Sequence, residues 1–126
     1  MSEVKPVIVY YSLSGNTKAF ANRFKADGYE VMTNRQAGGI AQPFVLFTPT
    51  YNFGGIPAPV KRFLNEYSRH MQAVVSFGNL NWGAGFALAG EKVAEQYAVP
   101  LLMKIEMRGG DKEYEIIRER LNGGIR

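Results

Sequence analysis

The chain has no cysteine, a single histidine, a single tryptophan, and no apolar run near the ~20 residues of a membrane span. Each shortage closes off a class of function. Without cysteine there is no disulfide, no thiolate metal site and no thiol chemistry, so any redox work has to come from a bound organic cofactor. One histidine, His70, at a polar helix end supplies no zinc site and reads as a solvated surface residue. Ser12 and Ser14 lack an identifiable base, which removes a Ser-His-Asp arrangement. The opening M-S-E-V-K-P is polar and runs straight into a strand, unlike a signal peptide. A cytoplasmic protein with no membrane partner is expected.

Charge of one sign is also scarce. Fifteen basic residues face eleven acidic ones, for a formal +4, and the basic residues are scattered from Lys5 to Arg126 without forming a block. Nucleic-acid binders gather positive charge on one face or in one stretch, so this pattern argues against a nucleic-acid partner. It suits an acidic protein partner or an anionic ligand.

What is present is a regular alternation of apolar runs and helical patterns, which at 126 residues makes one domain spanning 1–126. Val7–Tyr11 reads as a buried strand. A helix follows from Thr17, with Phe20 and Phe24 one turn apart and Gly28 to end it. Short strands are expected at Tyr29–Met32, Phe44–Thr48 and Ala73–Phe77. Pro59 opens a helix with Val60, Phe63, Leu64 and Tyr67 on one face. A helix over about 85–97 burying Phe86, Val93 and Tyr97 comes next, then a strand over Leu101–Met107 in which Met103, Ile105 and Met107 alternate with polar residues. Asp111 is placed to cap a last helix carrying Tyr114, Ile117 and Leu121. This order predicts an α/β fold: a parallel sheet covered by helices on both faces. The missing helix between strands two and three is the one tension, because parallel strands need a crossover.

Three unusual loops each follow a strand, so all three should open on the carboxyl edge of the sheet, where such folds bind ligands. The first, S-L-S-G-N-T (Ser12, Leu13, Ser14, Gly15, Asn16, Thr17), offers neutral donors and a glycine before a helix start, which suits a terminal phosphate. It is not a Walker A loop. A capped strand-to-helix turn without a ligand would look the same. The second, Thr48 to Pro57, sets Tyr51 and Phe53 beside Gly54-Gly55, a pattern that suits a flat ring with an aromatic on its face and bare backbone at its edge. The third, Gly78 to Gly83, presents Asn79, Asn81 and Trp82, an indole beside amides, suited to stacking and edge recognition of a heterocycle. Packing of these rings beneath their loops is the competing reading.

The first loop resembles the phosphate loop of flavodoxins, the FMN-binding doubly wound fold. The further run of T-P-T-Y-N-F-G-G-I-P, V-K-R-F-L, F-G-N-L-N-W-G and V-P-L-L-M-K-I-E-M-R-G is similar to one branch, the NrdI family of flavodoxin-like activators of class Ib ribonucleotide reductase. The resemblance runs from about Val7 to Leu121. It implies a five-stranded flavodoxin-like sheet in the order 2-1-3-4-5, lacking the helix between strands two and three. It implies FMN as cofactor, with the phosphate on Ser12–Thr17. Thr48, Pro49, Thr50, Tyr51, Asn52, Phe53 and Gly54 would flank the ring on one side; Gly78, Asn79, Asn81, Trp82 and Gly83 would flank it on the other. It further implies a flavin-reducing redox partner, reaction with dioxygen to give superoxide or peroxide, and delivery of that oxidant to the small reductase subunit for assembly of a dimanganese–tyrosyl radical cofactor. No protein-bound metal is implied. Two positions depart from the family's usual S-G-N-R-N-W/F-G: Phe77 stands in place of a small residue and Leu80 in place of the arginine.

On this reading Gly54 is the mechanistic residue, because only glycine lets its peptide swing a carbonyl toward the flavin N5 at no steric cost. The alternatives are a general FMN electron carrier or small quinone reductase of the same fold, and a cofactor-free module that captures a phosphorylated ligand.

Overall fold

A computed structural model describes residues 5–51 and 54–123. The β-branched run ahead of Ser12 forms β1 (Val7–Tyr10), an interior strand of a parallel sheet with β2 (Val31–Thr33), β3 (Phe44–Pro49), β4 (Met71–Gly78) and β5 (Leu101–Glu106). The strand order is β2-β1-β3-β4-β5. Period-two alternation sends Ile8, Tyr10, Val45, Phe47, Val75 and Phe77 to one face, beneath α1 (Asn16–Asn22) and α4 (Asp111–Asn122). Val7, Val9, Phe44, Leu46 and Val74 go to the other, beneath α2 (Ala58–Tyr67) and α3 (Leu88–Tyr97).

The face under α1 is filled by aromatic rings. Phe20 packs edge-on against Phe24 at 5.6 Å and Phe77 at 5.5 Å, and Phe24 lies 4.8 Å from Tyr114. Such edge-to-face pairs add to the area they bury. No helix joins β2 to β3. Turns occupy the connection instead, with Ala37 buried and Ile40 packed against the core.

Several local expectations are corrected. β2 is displaced two residues toward the carboxyl end at its start and one at its finish, because Tyr29 is taken up by packing on Phe24. The first helix tightens into a 3₁₀ segment (Arg23–Asp27) before Gly28 closes it at φ 86°. Asp111 does not cap α4. Gly110 holds the cap position, its N–H donates to the Glu113 carboxylate at 2.9 Å, and Asp111 is the first helical residue, paired with Arg23. In β5 the alternation is broken by a register shift against Val74/Val75 that lets Leu102 join Ile105 on the same face. A second shift beside Phe44/Val45 sets the exposed Gln72 outside the ladder.

Candidate functional site

The carboxyl edge of the sheet carries the three loops into one cleft of about 350 Å³. Leu13, Ser14, Asn16 and Thr17 come from the loop after β1, Pro49 and Thr50 from the end of β3, and Gly78, Asn79 and Trp82 from the loop after β4. Parallel pairing sets Pro49 beside Phe77 in register, which is why two loops some thirty residues apart in sequence meet there. The described residues that line the cleft include no charged side chain.

Local hydrogen bonds shape each wall. Ser12 turns its hydroxyl inward, where Oγ accepts the Gly15 N–H at 3.0 Å and the Lys18 N–H at 3.3 Å. Gly15 sits at φ 93°, a left-handed conformation that opens α1 at the required angle. Asn79 closes a small turn, with Oδ1 accepting the Asn81 N–H at 2.8 Å and its carbonyl accepting the Trp82 N–H at 3.0 Å. That turn, followed by a 3₁₀ segment over Leu80–Gly85, leaves the Trp82 indole 42% exposed rather than folded into the core.

The middle loop is anchored from α3. Thr50 Oγ1 accepts the Ala89 N–H at 3.3 Å, and Tyr51 and Gly55 exchange two backbone hydrogen bonds of 2.7 Å each. Gly54 is buried at φ 129°, and the Leu88 side chain lies against it. Beneath, Ser76 is wholly buried; its hydroxyl donates to the Ala87 carbonyl at 2.7 Å and accepts the Gly90 N–H at 2.9 Å, fixing the start of α3.

Some expected residues stand outside the lining. Ser12 and Gly15 hold the loop from behind. Thr48 is fully buried and donates to the Pro49 carbonyl. Tyr51 is half exposed on the same loop, while Gly54, Asn81 and Gly83 shape backbone rather than wall. Asn52 and Phe53 lie outside the described residues.

Three lining residues were not among the sequence candidates: Phe77, Gly85 and Met107. Met107 belongs to a fourth loop at the same edge, and M-R-G-G after β5, with Gly109 at φ 70°, is the signal that marks it. Displaced pKa values gather elsewhere, around Asp27 on the α1–α4 face. A hydrogen bond to the Asp27 carboxylate, then burial, raises the Tyr114 phenol, and burial with the Asp27 charge raises Tyr29. Among the described residues no group of three acidic or imidazole side chains is placed to hold a metal, and no helix is long and apolar enough to cross a membrane.

Known proteins bear on this arrangement. Oxidised Flavodoxin 1 from Bacillus cereus has a TM-score of 0.71 at 15% identity, over 98% of this chain and all of that one. Oxidised Flavodoxin 2 from the same organism has a TM-score of 0.66 at 20% identity, over 94% and 96%. At such identities they speak for the fold alone. Protein NrdI from Macrococcus caseolyticus is 44% identical over 119 residues, 92% of this chain and 91% of that one. The family model for NrdI flavodoxin-like proteins matches residues 8–119, a span that takes in all three cleft loops. The protein therefore belongs to the NrdI flavodoxin-like family.

Proposed function

We propose that the protein binds FMN in this cleft and acts as the redox accessory of a class Ib ribonucleotide reductase. In that role it takes electrons from a flavin-reducing partner and passes them to dioxygen. The superoxide or peroxide formed then serves assembly of the dimanganese–tyrosyl radical cofactor in the small subunit. The observation that carries the reading is the meeting of three neutral loops in one cleft at the carboxyl edge of a 2-1-3-4-5 sheet, in a chain of this family.

The residues present fit the group. A volume of about 350 Å³ lies within the range of small-molecule sites. An exposed indole and bare backbone at Gly78 and Gly85 suit a flat ring. Ser14, Asn16 and Thr17, at the start of α1, are neutral donors suited to a phosphate. FMN when bound supplies the one- and two-electron chemistry that a chain without cysteine lacks.

The chain's own part is to bind, orient and set exposure. Trp82 would cover one side of the ring and Pro49 and Thr50 would flank the other. The Asn79 turn would face the ring edge. Gly54 would present its carbonyl to N5, and the N–H of the same peptide, that of Gly55, donates to the Tyr51 carbonyl at 2.7 Å.

An ultraviolet–visible spectrum of the purified protein is the first test, because flavin absorbance is required. Reduction followed by air, with the small subunit and Mn²⁺, is the second. Tyrosyl radical formation is expected. Flavin without radical would favour a general electron carrier, and a colourless protein that takes up no FMN would end the proposal.

A further inference from the structure

Met107 is one of the three cleft residues that the sequence pattern did not single out, and its placement is enforced. It has φ 56°, a left-handed conformation disfavoured for a non-glycine residue. Backbone bonds hold it there. Its N–H donates to the Gly78 carbonyl at 2.8 Å, the Gly109 N–H donates to the Glu106 carbonyl at 3.0 Å, and the Glu106 carboxylate accepts the Leu80 N–H at 3.3 Å. The turn after β5 is thus tied to the loop that carries Trp82, and Met107 lines the cleft beside Phe77, Asn79 and Trp82.

Its exposure is equally particular. Met107 is 48% exposed, Met71 is 6% exposed, and Met32 and Met103 are partly buried against the two cores. Among the described residues it is the one methionine that offers its thioether both to solvent and to the cleft. Thioethers are oxidised according to their access, and the product exchanges a soft apolar group for a polar, chiral one.

We propose that Met107 is an oxidative modification site that adjusts the cleft. A sulfur lone pair attacks one oxygen of hydrogen peroxide; the O–O bond breaks, an S–O bond forms, and the departing hydroxide takes the remaining proton to leave as water. Sulfur is oxidised by two electrons and peroxide is reduced to water. The sulfoxide places a strong dipole beside the aromatic rings of Phe77 and Trp82, and so weakens the hold on a flat aromatic ligand. A sulfoxide reductase would reverse it. The source of peroxide close to this residue rests on the function proposed above; the site itself does not.

The test begins without flavin. The purified full-length protein is treated with limiting hydrogen peroxide and mapped by peptide mass spectrometry. Met107 sulfoxide should form about tenfold faster than Met71 sulfoxide and ahead of Met32 and Met103. Trp82, the only tryptophan, reports the consequence: its emission should shift on oxidation of the wild type and stay put in oxidised Met107→Leu. In an FMN titration, oxidation should weaken binding by about fourfold in the wild type, as loss of roughly one methylene's worth of apolar contact implies, and leave Met107→Leu unchanged.

Oxidation of Met103 or Met32 before Met107 would overturn the assignment. So would equal shifts in wild type and Met107→Leu, since another methionine would then be responsible. A protein that takes up no FMN would end the functional reading while the peroxide map and the Trp82 emission still decide this one.

Discussion

A methyl group on Gly54 would stand 2.6 Å from Leu88 Cδ2 and 3.0 Å from Leu88 Cβ, so the backbone of the middle loop is seated directly on the first residue of α3. Two constraints therefore meet at Gly54. Its φ of 129° is disfavoured for any side chain, and its surroundings have no room for one.

Gly54→Ala should therefore destabilise the fold by about 3 kcal/mol, from backbone strain and overpacking together. The three nearest atoms all belong to Leu88, so Leu88→Ala in the same chain should recover about half of that loss. Urea unfolding of the two single variants and the double variant measures the coupling, and strictly additive values would refute it. The pair also sharpens any test of Gly54 as a flavin hinge. A bulky residue placed there alone shifts the whole loop, whereas Gly54→Ala in the Leu88→Ala background changes the backbone with less collision.

Ser76→Ala should cost about 2 kcal/mol. The buried hydroxyl serves the Ala87 carbonyl and the Gly90 N–H at once, and both would lose a partner in the interior. Because those groups set the start of α3, and α3 anchors Thr50, the variant should also weaken FMN binding without touching the cleft wall. Parallel unfolding and titration curves check both effects.

Stability should fall at alkaline pH. The Asp27 hydrogen bond, then burial and the Asp27 charge, hold the Tyr114 phenol above its ordinary value of 10.0, against smaller opposite effects of Arg118 and Arg23. Burial and then Asp27 do the same for Tyr29. The folded state thus keeps protons that the unfolded chain has released. Stability is fully present below pH 10.0 and is lost as pH rises through the folded-state values. Urea midpoints between pH 7 and pH 11 should show the decline, and Tyr114→Phe should reduce its slope.

Trp82→Ala should weaken FMN binding about tenfold, the worth of one stacked aromatic contact, while Trp82→Phe should restore most of it. Quenching of flavin fluorescence on titration reads the affinity. Equal affinity for all three proteins would remove Trp82 from the ring site.

Much of this was written in the chain itself. The β-branched runs fixed the strands, because short apolar segments bounded by turn residues have no other way to bury both faces. Gly28 marked a helix end because left-handed backbone is cheap only for glycine. The three loops were legible because they carry unusual residue types directly after strands. The full strand order was legible through family resemblance, since alternation says which residues are buried and not which strands are neighbours.

Tertiary structure decided the rest. Thr48 and Thr50 are two residues apart, one inside β3 and one just past its end; the first is sealed beneath the edge with its hydroxyl on Pro49 and the second lines the cleft. Met107 reads as the last residue of an alternating strand and becomes a cleft wall, because its backbone turns left-handed directly after β5 while its N–H is held on the Gly78 carbonyl. Asp111 yields the cap to Gly110 because Glu113 reaches back to the glycine N–H. In each case local pattern names the residue, but the side chain's surroundings come from contacts across the sheet that no window of sequence contains.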